Sequence, residues 1–439
     1  MSAPTPICDF VRDYAEKRGV RAHMPGHKGK AFLGWEPYDL TEIKGADSLY
    51  EASGVIAESQ RIASALFGSG ATLYSAGGSS QALRAMVMLV CPEGSLILAG
   101  RNAHRGFLHA CGLLDLRVRW LMPEGERASL CACPITAGGV LHALETEEKP
   151  SAVYLTAPDY LGSSPDLRAI AAVCHAHGVP LLVDNAHGAY LRFLPEDSHP
   201  MTLGADMCCD SAHKTLPAVT GAAYLHIAED YLPKLRKSPM EAMAAFGSTS
   251  PSYLILQSLD FCNRYLTDGY RARLAAFCDE MTHLKSSLRA QGFHVWDSDP
   301  LRLTVFDGAG GLALAEHLHH DSIECEFADR DAVVLMLTPE NGQEDLRRIE
   351  ASFASFKPTP WRDPCEALAL PERACSIRTA LLAPSESVLI SSAAGRVCSC
   401  PSVSCPPAVP VVVSGEIITQ QACRLMERYG IDTIEVVKE

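Results

Sequence analysis

The sequence predicts an α/β protein whose main layer is a mostly parallel sheet covered by helices on both faces, with smaller α/β elements towards the C-terminus. The first observation behind this is an alternation, between about residue 70 and residue 227, of short apolar runs with helical patterns. The second is that the short runs are apolar throughout rather than every other residue, which suits strands buried on both faces. The third is composition: 47% hydrophobic and 21% charged residues supply an ordinary packed core.

Taken in order, "SSQALRAMVMLV" reads as a helix and "GSLILAG" as a short buried strand. "LRVRWLM" and "SAVYLTAP" are further strands, and "DLRAIAAVCHAHG" is a helix ended by its glycine. "VPLLVD", "ADMCCD" and "GAAYLHI" are again strand-like. The run from residue 254 to 292 reads as one long helix. "LRLTVF", "GLALAEHLHH", "IECEF", "AVVLMLT" and "EDLRRIEASF" then give a small α/β unit, and "KPTPWRDP" is a proline-rich break. The last stretch, from "VPVVV" to "TIEVV", is strand, helix, strand. With 439 residues the chain exceeds one small core. The expected division is a large domain over 1–265, a connector helix and small α/β domain over 266–360, and a C-terminal module over 361–439.

Charge and cysteine content exclude several classes. The formal net charge is −14 and no basic run occurs, which argues against nucleic acid or an anionic membrane as a main partner. No apolar stretch approaches the ~20 residues that span a bilayer. The first nineteen residues carry charges where a signal peptide needs an apolar run, so the expectation is a mature cytoplasmic protein. Seventeen cysteines without a CxxC pair read as reduced, mostly buried thiols. "CSCPSVSC", holding Cys398, Cys400 and Cys405, lacks the paired spacing and nearby histidine of a zinc site, and no metal is expected.

In parallel sheets ligands bind beyond the carboxyl ends of the strands, so the residues there carry the functional information. "YSAGGSSQALRAM" offers Gly78, where backbone can approach a ligand, and Ser79 and Ser80, read as capping the following helix. Those serines serve either as a phosphate cradle or only as an N-cap. "LILAGRNAHRG" runs from a strand into Asn102 and His104, a histidine that is either functional or a satisfied surface residue. "VPLLVDNAHGAY" delivers Asp184 straight after buried apolar residues, where a carboxylate needs a cationic or strong donor partner. His187 follows, and thirty positions after Asp184 comes Lys214. Together these are the parts of a pyridoxal phosphate site. Such a site needs an amine for an imine, an anion for the pyridine nitrogen, a phosphate cradle and a flat group against the ring. Lys214, Asp184, the Gly78–Ser80 turn and His104 can supply them in that order.

The sequence resembles the Orn/Lys/Arg decarboxylase family in its short form. The resemblance is carried by "RAHMPGHKGK", "GVIAESQRIASALFGSGATLYSAGGSSQA", "LAGRNAHRG", "VDNAHGAY", "SAHKTLPAVTGAAYLH" and "STSPSYLILQSLD", in the family's order. It implies the three-layer fold of type I pyridoxal phosphate enzymes, the aspartate aminotransferase superfamily, and a homodimer with sites at the subunit interface. It further implies Lys214 as the Schiff-base lysine, Asp184 on the ring nitrogen, His104 stacked on the ring and Ala186 against the other face. Ser79 would bind phosphate, with Ser211 and His213 beside phosphate and imine. Thr249 and Ser250 would reach the phosphate, from the partner subunit in the dimer. His23, Pro25, His27 and Lys28 would line the entrance or the interface. The implied activity is decarboxylation of arginine, lysine or ornithine, with arginine the first choice, in polyamine biosynthesis.

Near the C-terminus the chain departs from the family's pattern. Cys400 stands where the family tends to have glutamate, Cys405 where it has tyrosine, and Ala408 where it has glycine. A carboxylate there is a natural partner for the distal cation of a basic substrate, so its replacement bears on the substrate. Asn185 replaces a frequent glutamate. Two other readings stand beside the decarboxylase. One is an aminotransferase or other Cα-lyase of the same fold, with Arg302, Arg330, Arg347 or Arg348 for the α-carboxylate. The other is a catalytically impaired homologue acting through its dimer.

Overall fold

Short apolar runs become strands and the patterned stretches between them become helices. The computed structural model describes residues 2–125, 129–146, 148–361, 368–403 and 409–439. The chain begins with α1 (Pro6–Glu16), α2 (Val55–Phe67), β1 (Ala71–Ser75), α3 (Gly78–Val90), β2 (Leu96–Gly100) and α4 (Arg105–Leu113). It continues through β3 (Arg117–Leu121), α5 (Ala137–Leu144), β4 (Val153–Thr156), α6 (Leu167–Ala176) and β5 (Leu181–Asp184). Next come α7 (Pro200–Leu203), β6 (Met207–Asp210), α8 (Ala212–Thr215), β7 (Ala223–Ile227) and α9 (Pro239–Ala245). Then follow α10 (Tyr253–Thr267), α11 (Tyr270–Ala290), β8 (His294–Val295), β9 (Arg302–Phe306) and α12 (Gly311–His320). The remainder is β10 (Phe327–Ala328), β11 (Ala332–Met336), α13 (Gly342–Ser355), α14 (Ile377–Leu382), β12 (Ser385–Leu389), β13 (Ser402–Val403), β14 (Val412–Val413), α15 (Gln420–Arg428) and β15 (Thr433–Val437).

A seven-stranded sheet has the order β1-β7-β6-β5-β4-β2-β3. The pairs β2/β3, β2/β4 and β5/β6 are parallel, whereas β7 runs antiparallel to both β1 and β6. Only twelve residues join β6 to β7, and they hold the one-turn helix α8, so the chain returns without a crossover. Every residue of β2, β5 and β6 is buried, as uniformly apolar runs require.

The predicted long helix over 254–292 is in fact two. Helix α10 ends at Thr267, and Gly269 takes a left-handed φ of +70° before α11 begins. Glycine reaches that conformation without the steric cost a Cβ imposes, and the intrahelical ladder stops there. "IECEF" contributes only Phe327, the first residue of the two-residue β10. The proline-rich break lies partly outside the described residues, as do Cys405 and Ala408.

The chain forms two compact units, one of Met1–Cys91 with Gly178–Ala272 and the other of Pro92–His177 with Arg273–Glu439. In the first, buried polar side chains tie distant segments together. Asp260 accepts from the Cys8 amide at 2.9 Å and the Ser59 hydroxyl at 2.5 Å, which anchors α1 and α2 on α10. Asp47 gathers the amides of Ser53, Gly54, Ile56 and Ala57, taking up the free N–H groups at the start of α2. In the second unit, β10-β11-β9-β8 form an antiparallel sheet, and β12-β15 and β13-β14 are two-stranded. One core there joins Leu130, Phe306 and Val334 to Ile390, Val412, Leu425, Met426 and Val436. The C-terminal segment therefore completes a core that starts near residue 130.

Burial pushes the Asp260 carboxyl up to about 6 despite its hydrogen bonds. The folded state thus holds this proton more tightly than the unfolded chain, whose aspartates titrate near ~3.9. The resulting stability is complete below that value and is lost as pH rises through about 6, amounting to at most about 3 kcal/mol. Asp260→Asn removes the titration. Its urea midpoint is expected to improve relative to the parent between pH 4 and pH 7. A pH-independent difference between the two proteins would refute this.

Candidate active site

The first unit gathers site residues at the ends of β1, β5 and β6. After β1 the backbone turns through Gly77 and Gly78, the latter at φ +72° with open space where a Cβ would stand. The Gly78 amide donates to the Gly221 carbonyl at 2.8 Å, which fixes the turn against the segment before β7. Gln81 holds it from the other side. Its Oε1 accepts from the Gly77 amide at 3.0 Å and the Ser75 hydroxyl at 2.7 Å, while its amide donates to the Tyr50 hydroxyl and the Met243 carbonyl. Ser79 and Ser80 do not cap the helix as expected. Gly77 is the N-cap, and the serines lie within the first turn, because α3 begins already at Gly78. Their amides belong to the free N–H groups of that turn, and the Ser211 hydroxyl donates to Ser79 Oγ at 2.7 Å.

Asp184 closes β5 and is 3% exposed. It accepts from the Ala186 amide at 3.2 Å and the Cys209 thiol at 3.6 Å. The Asn185 side chain points to a second buried carboxylate and donates to Asp210 Oδ1 at 2.7 Å. Asp210 Oδ2 accepts from His199 Nε2 at 3.0 Å and His226 Nε2 at 3.3 Å, and His226 Nδ1 meets Thr72 Oγ1 at 2.8 Å. Burial alone would raise the Asp210 carboxyl, but His199 and His226 outweigh it and hold it well below the usual carboxylate range. Burial lowers His226 against the opposing pull of the Asp210 carboxylate. His199, Cys208 and Asp210 bring three potential metal-ligating atoms within 4.8 Å of one another. The hydrogen bonds around Asp210 already account for both carboxylate oxygens, so the cluster is a closed network as it stands.

Lys214 sits on α8, one turn of helix immediately beyond β6, with Nζ 2.8 Å from His187 Nε2. His187 is 8% exposed. His213 points elsewhere: its Nδ1 donates to the Ala222 carbonyl at 3.0 Å. Thr249 and Ser250 are exposed between α9 and α10, where the Ser250 amide donates to Ser248 Oγ. In the N-terminal segment, His23 meets the Tyr14 hydroxyl and His27 the Asp39 carboxylate at 3.1 Å. Lys28 donates to the His23 carbonyl, and Pro25 is partly exposed nearby.

In the second unit, His104 is the N-cap of α4 and its Nδ1 accepts from the Gly106 amide at 3.1 Å. The ring is exposed, and a neutral His104 therefore carries its proton on Nε2. Just before it, Arg101 is fully buried and makes a bidentate pair with Glu416 at 2.7 and 2.8 Å. Its guanidinium also covers the Trp120 ring at 4.8 Å. Arg302 is buried too, and its Nη1 donates to the Asp159 and Tyr160 carbonyls.

These residues fit pyridoxal phosphate. The Gly78 turn leaves room for a phosphate that a Cβ would crowd, with serine hydroxyls and free amides beside it. The donor set of one amine, one buried carboxylate and one imidazole is what an aldehyde-bearing pyridinium requires. The sequence pattern of "Orn/Lys/Arg decarboxylase, major domain" matches residues 5–305, well over half of the chain.

The chain belongs to the Orn/Lys/Arg decarboxylase family.

It is accordingly a pyridoxal phosphate-dependent decarboxylase. An uncharacterized protein of Bacillus subtilis strain 168, YaaO, is 31% identical over 97% of this chain and 94% of its own length. An arginine decarboxylase of Bacillus anthracis is 28% identical, with 95% and 91% covered. Among solved structures, the lysine decarboxylase LdcF of Francisella novicida superposes with a TM-score of 0.84 at 17% identity, over 99% of this chain and 81% of that one. That likeness bears out the expected fold. Three functional-site neighbours were not legible as such in the sequence: His199, His226 and the tether Gln81. The only hint was Gln81's place directly after the serine pair.

Proposed function

We propose that this decarboxylase acts on arginine in preference to lysine or ornithine, releasing carbon dioxide and leaving the corresponding amine. The observation that carries the reading is the pairing of Lys214 Nζ with His187 Nε2 at 2.8 Å in the same unit as a buried Asp184. Support for arginine comes from relatives of nearly full length that carry that activity in their names. When bound, pyridoxal phosphate supplies the electron sink that accepts the pair left behind as carbon dioxide departs. Lys214 would hold it through Nζ, Asp184 would keep a proton on its ring nitrogen, and Gly78, Ser79, Ser80 and Ser211 would take the phosphate. His104 and Ala186 would flank the ring, with Thr249 and Ser250 closing the phosphate site, whereas His213, turned to the Ala222 carbonyl, takes no part at the imine.

His187 is placed to take a proton from Lys214 Nζ, leaving the free amine that a carbonyl reaction needs. Lys214 in turn returns a proton to the substrate Cα, and the orientation of the carboxylate decides which bond breaks. Beneath Asp184, the Asp210 network keeps Asn185 from turning into the site. The aminotransferase reading loses support from Arg302, which is buried with Nη1 committed to two carbonyls.

The functional unit we propose is a cytoplasmic homodimer. Val20, Met24, Phe32, Leu33 and Trp35 are exposed on one N-terminal segment, an apolar run that a second copy would cover. The fifteen described cysteines are all unbridged, in keeping with a reducing compartment. No helix among the described residues is long and apolar enough to cross a membrane.

The test offers the cofactor-saturated protein arginine, lysine and ornithine separately and identifies products by mass spectrometry. Agmatine as the main product, with Lys214→Ala inactive, is the expected outcome. A main product from lysine or ornithine would overturn the preference. A keto acid would replace decarboxylation by transamination.

A further inference from the structure

The loop that departs from the family pattern holds two thiols with a definite relation. Cys398 is fully buried, and Cys400 is half-buried and lines a cavity of about 280 Å³ with Ser387, Ser402, Thr433 and Glu435. The backbone between them is held on both sides. The Cys398 amide donates to the Glu416 carbonyl at 2.9 Å and its carbonyl accepts from the Gly415 amide at 2.9 Å. The Ser399 amide donates to the Glu435 carbonyl at 3.1 Å, and the Ser414 hydroxyl reaches the Ser399 and Cys400 carbonyls. Cys398 itself forms a bridge with Val436. The backbone bends at Cys400, and the two thiols lie within hydrogen-bonding reach of each other. The Cys398 thiol already leans that way, with Sγ 3.6 Å from the Cys400 carbonyl oxygen.

We propose that Cys400 and Cys398 are an oxidation site for small hydroperoxides, Cys400 reacting first at the cavity wall and Cys398 resolving it from behind. The Cys400 thiolate attacks the terminal peroxide oxygen. The O–O bond breaks, the reagent leaves as an alcohol after taking a proton, and a sulfenic acid remains. Cys398 sulfur then attacks Cys400 sulfur, and hydroxide leaves with the Cys398 proton as water. Two thiols and one hydroperoxide give one disulfide, one alcohol and one water, the two electrons passing to the peroxide. Chemistry within the pair favours this order. A hydrogen bond from the Cys398 thiol outweighs burial and brings Cys400 down to about 7. Cys278 and Cys325, also partly buried, are pushed up to about 11 by burial. A thiolate that is present near neutrality reacts; one that must be generated above pH 10 does not.

The test uses the holoprotein. Iodoacetamide at pH 7 is expected to label Cys400 at least about tenfold faster than Cys278 or Cys325; equal rates overturn the assignment. After mild hydrogen peroxide, the tryptic peptide from Val397 to Arg424 is expected to lose two hydrogens and to resist alkylation at Cys398 and Cys400. Cys405→Ser is expected to leave that result intact, and Cys398→Ser, which keeps a hydrogen-bond donor but no sulfur, to stop Cys400 at a sulfenic acid trapped by dimedone. Loss of the bridge in Cys405→Ser, or full alkylation of both thiols while Cys278 and Cys325 oxidise, overturns it.

Discussion

Lys214→Ala is expected to lower amine formation by at least about 10³-fold and to abolish the visible absorption that the parent acquires with pyridoxal phosphate. Lys214 is carried by a single helical turn between two buried strands, so its reach is set by β6 and β7 rather than by a mobile loop. Its Nζ already has His187 as a partner, and alanine removes the amine while leaving that imidazole in place. Borohydride fixation separates loss of the covalent link from loss of binding. The parent should gain a reduced, fluorescent adduct on the peptide that holds Lys214, and the variant should gain none. An adduct on another lysine in the parent would reassign the role. Lys214→Arg keeps the charge and the packing yet cannot form the link, so it should be as inactive as alanine but more stable.

Glu416→Ala is expected to cost about 3–5 kcal/mol of stability. Arg101 is fully buried and directs both terminal nitrogens to Glu416, and alanine leaves that guanidinium charged, dry and without its counter-ion. The Val413 amide loses its acceptor as well, since Glu416 Oε2 takes it at 2.9 Å. Urea denaturation at fixed cofactor saturation measures the loss. The informative control is the double replacement Arg101→Met with Glu416→Leu, which removes both charges and fills similar volume. It should recover most of the loss, because desolvating the pair costs much of what the pair returns. If the single and double variants were equally unstable, packing rather than charge would hold this part of the molecule.

The strands and helices from residue 70 to 227 were legible because each is short, apolar and followed by a turn residue, so local pattern and tertiary burial agree. The antiparallel return of β7 was not legible. Nothing in "GAAYLHI" states its direction; the length of the link before it does. The break at Gly269 was visible as a glycine, but helical periodicity continues on both sides and masks it. Lys214, Asp184 and His104 stood out because strand ends in such sheets are where chemistry is expected. Arg101 and Glu416 did not, since 315 positions separate them and each alone reads as a surface charge. Asp210 was similarly silent. Its meaning depends on His199 and on His226, the latter reaching it only once β6 and β7 lie side by side.

Each of the two units is assembled from two separate stretches of chain, and the core around Phe306 and Val334 includes Leu425, Met426 and Val436 from the last fifteen residues. During synthesis, residues 92–177 therefore leave the ribosome long before the segment that completes their unit has been translated. Their apolar surface waits uncovered for more than two hundred codons, an interval in which chaperones would be needed to prevent association. Premature termination ahead of residue 425 would leave this core open rather than merely trimmed. Messages truncated ahead of codon 425 should thus yield material that is degraded or aggregated, not a shortened enzyme with reduced activity.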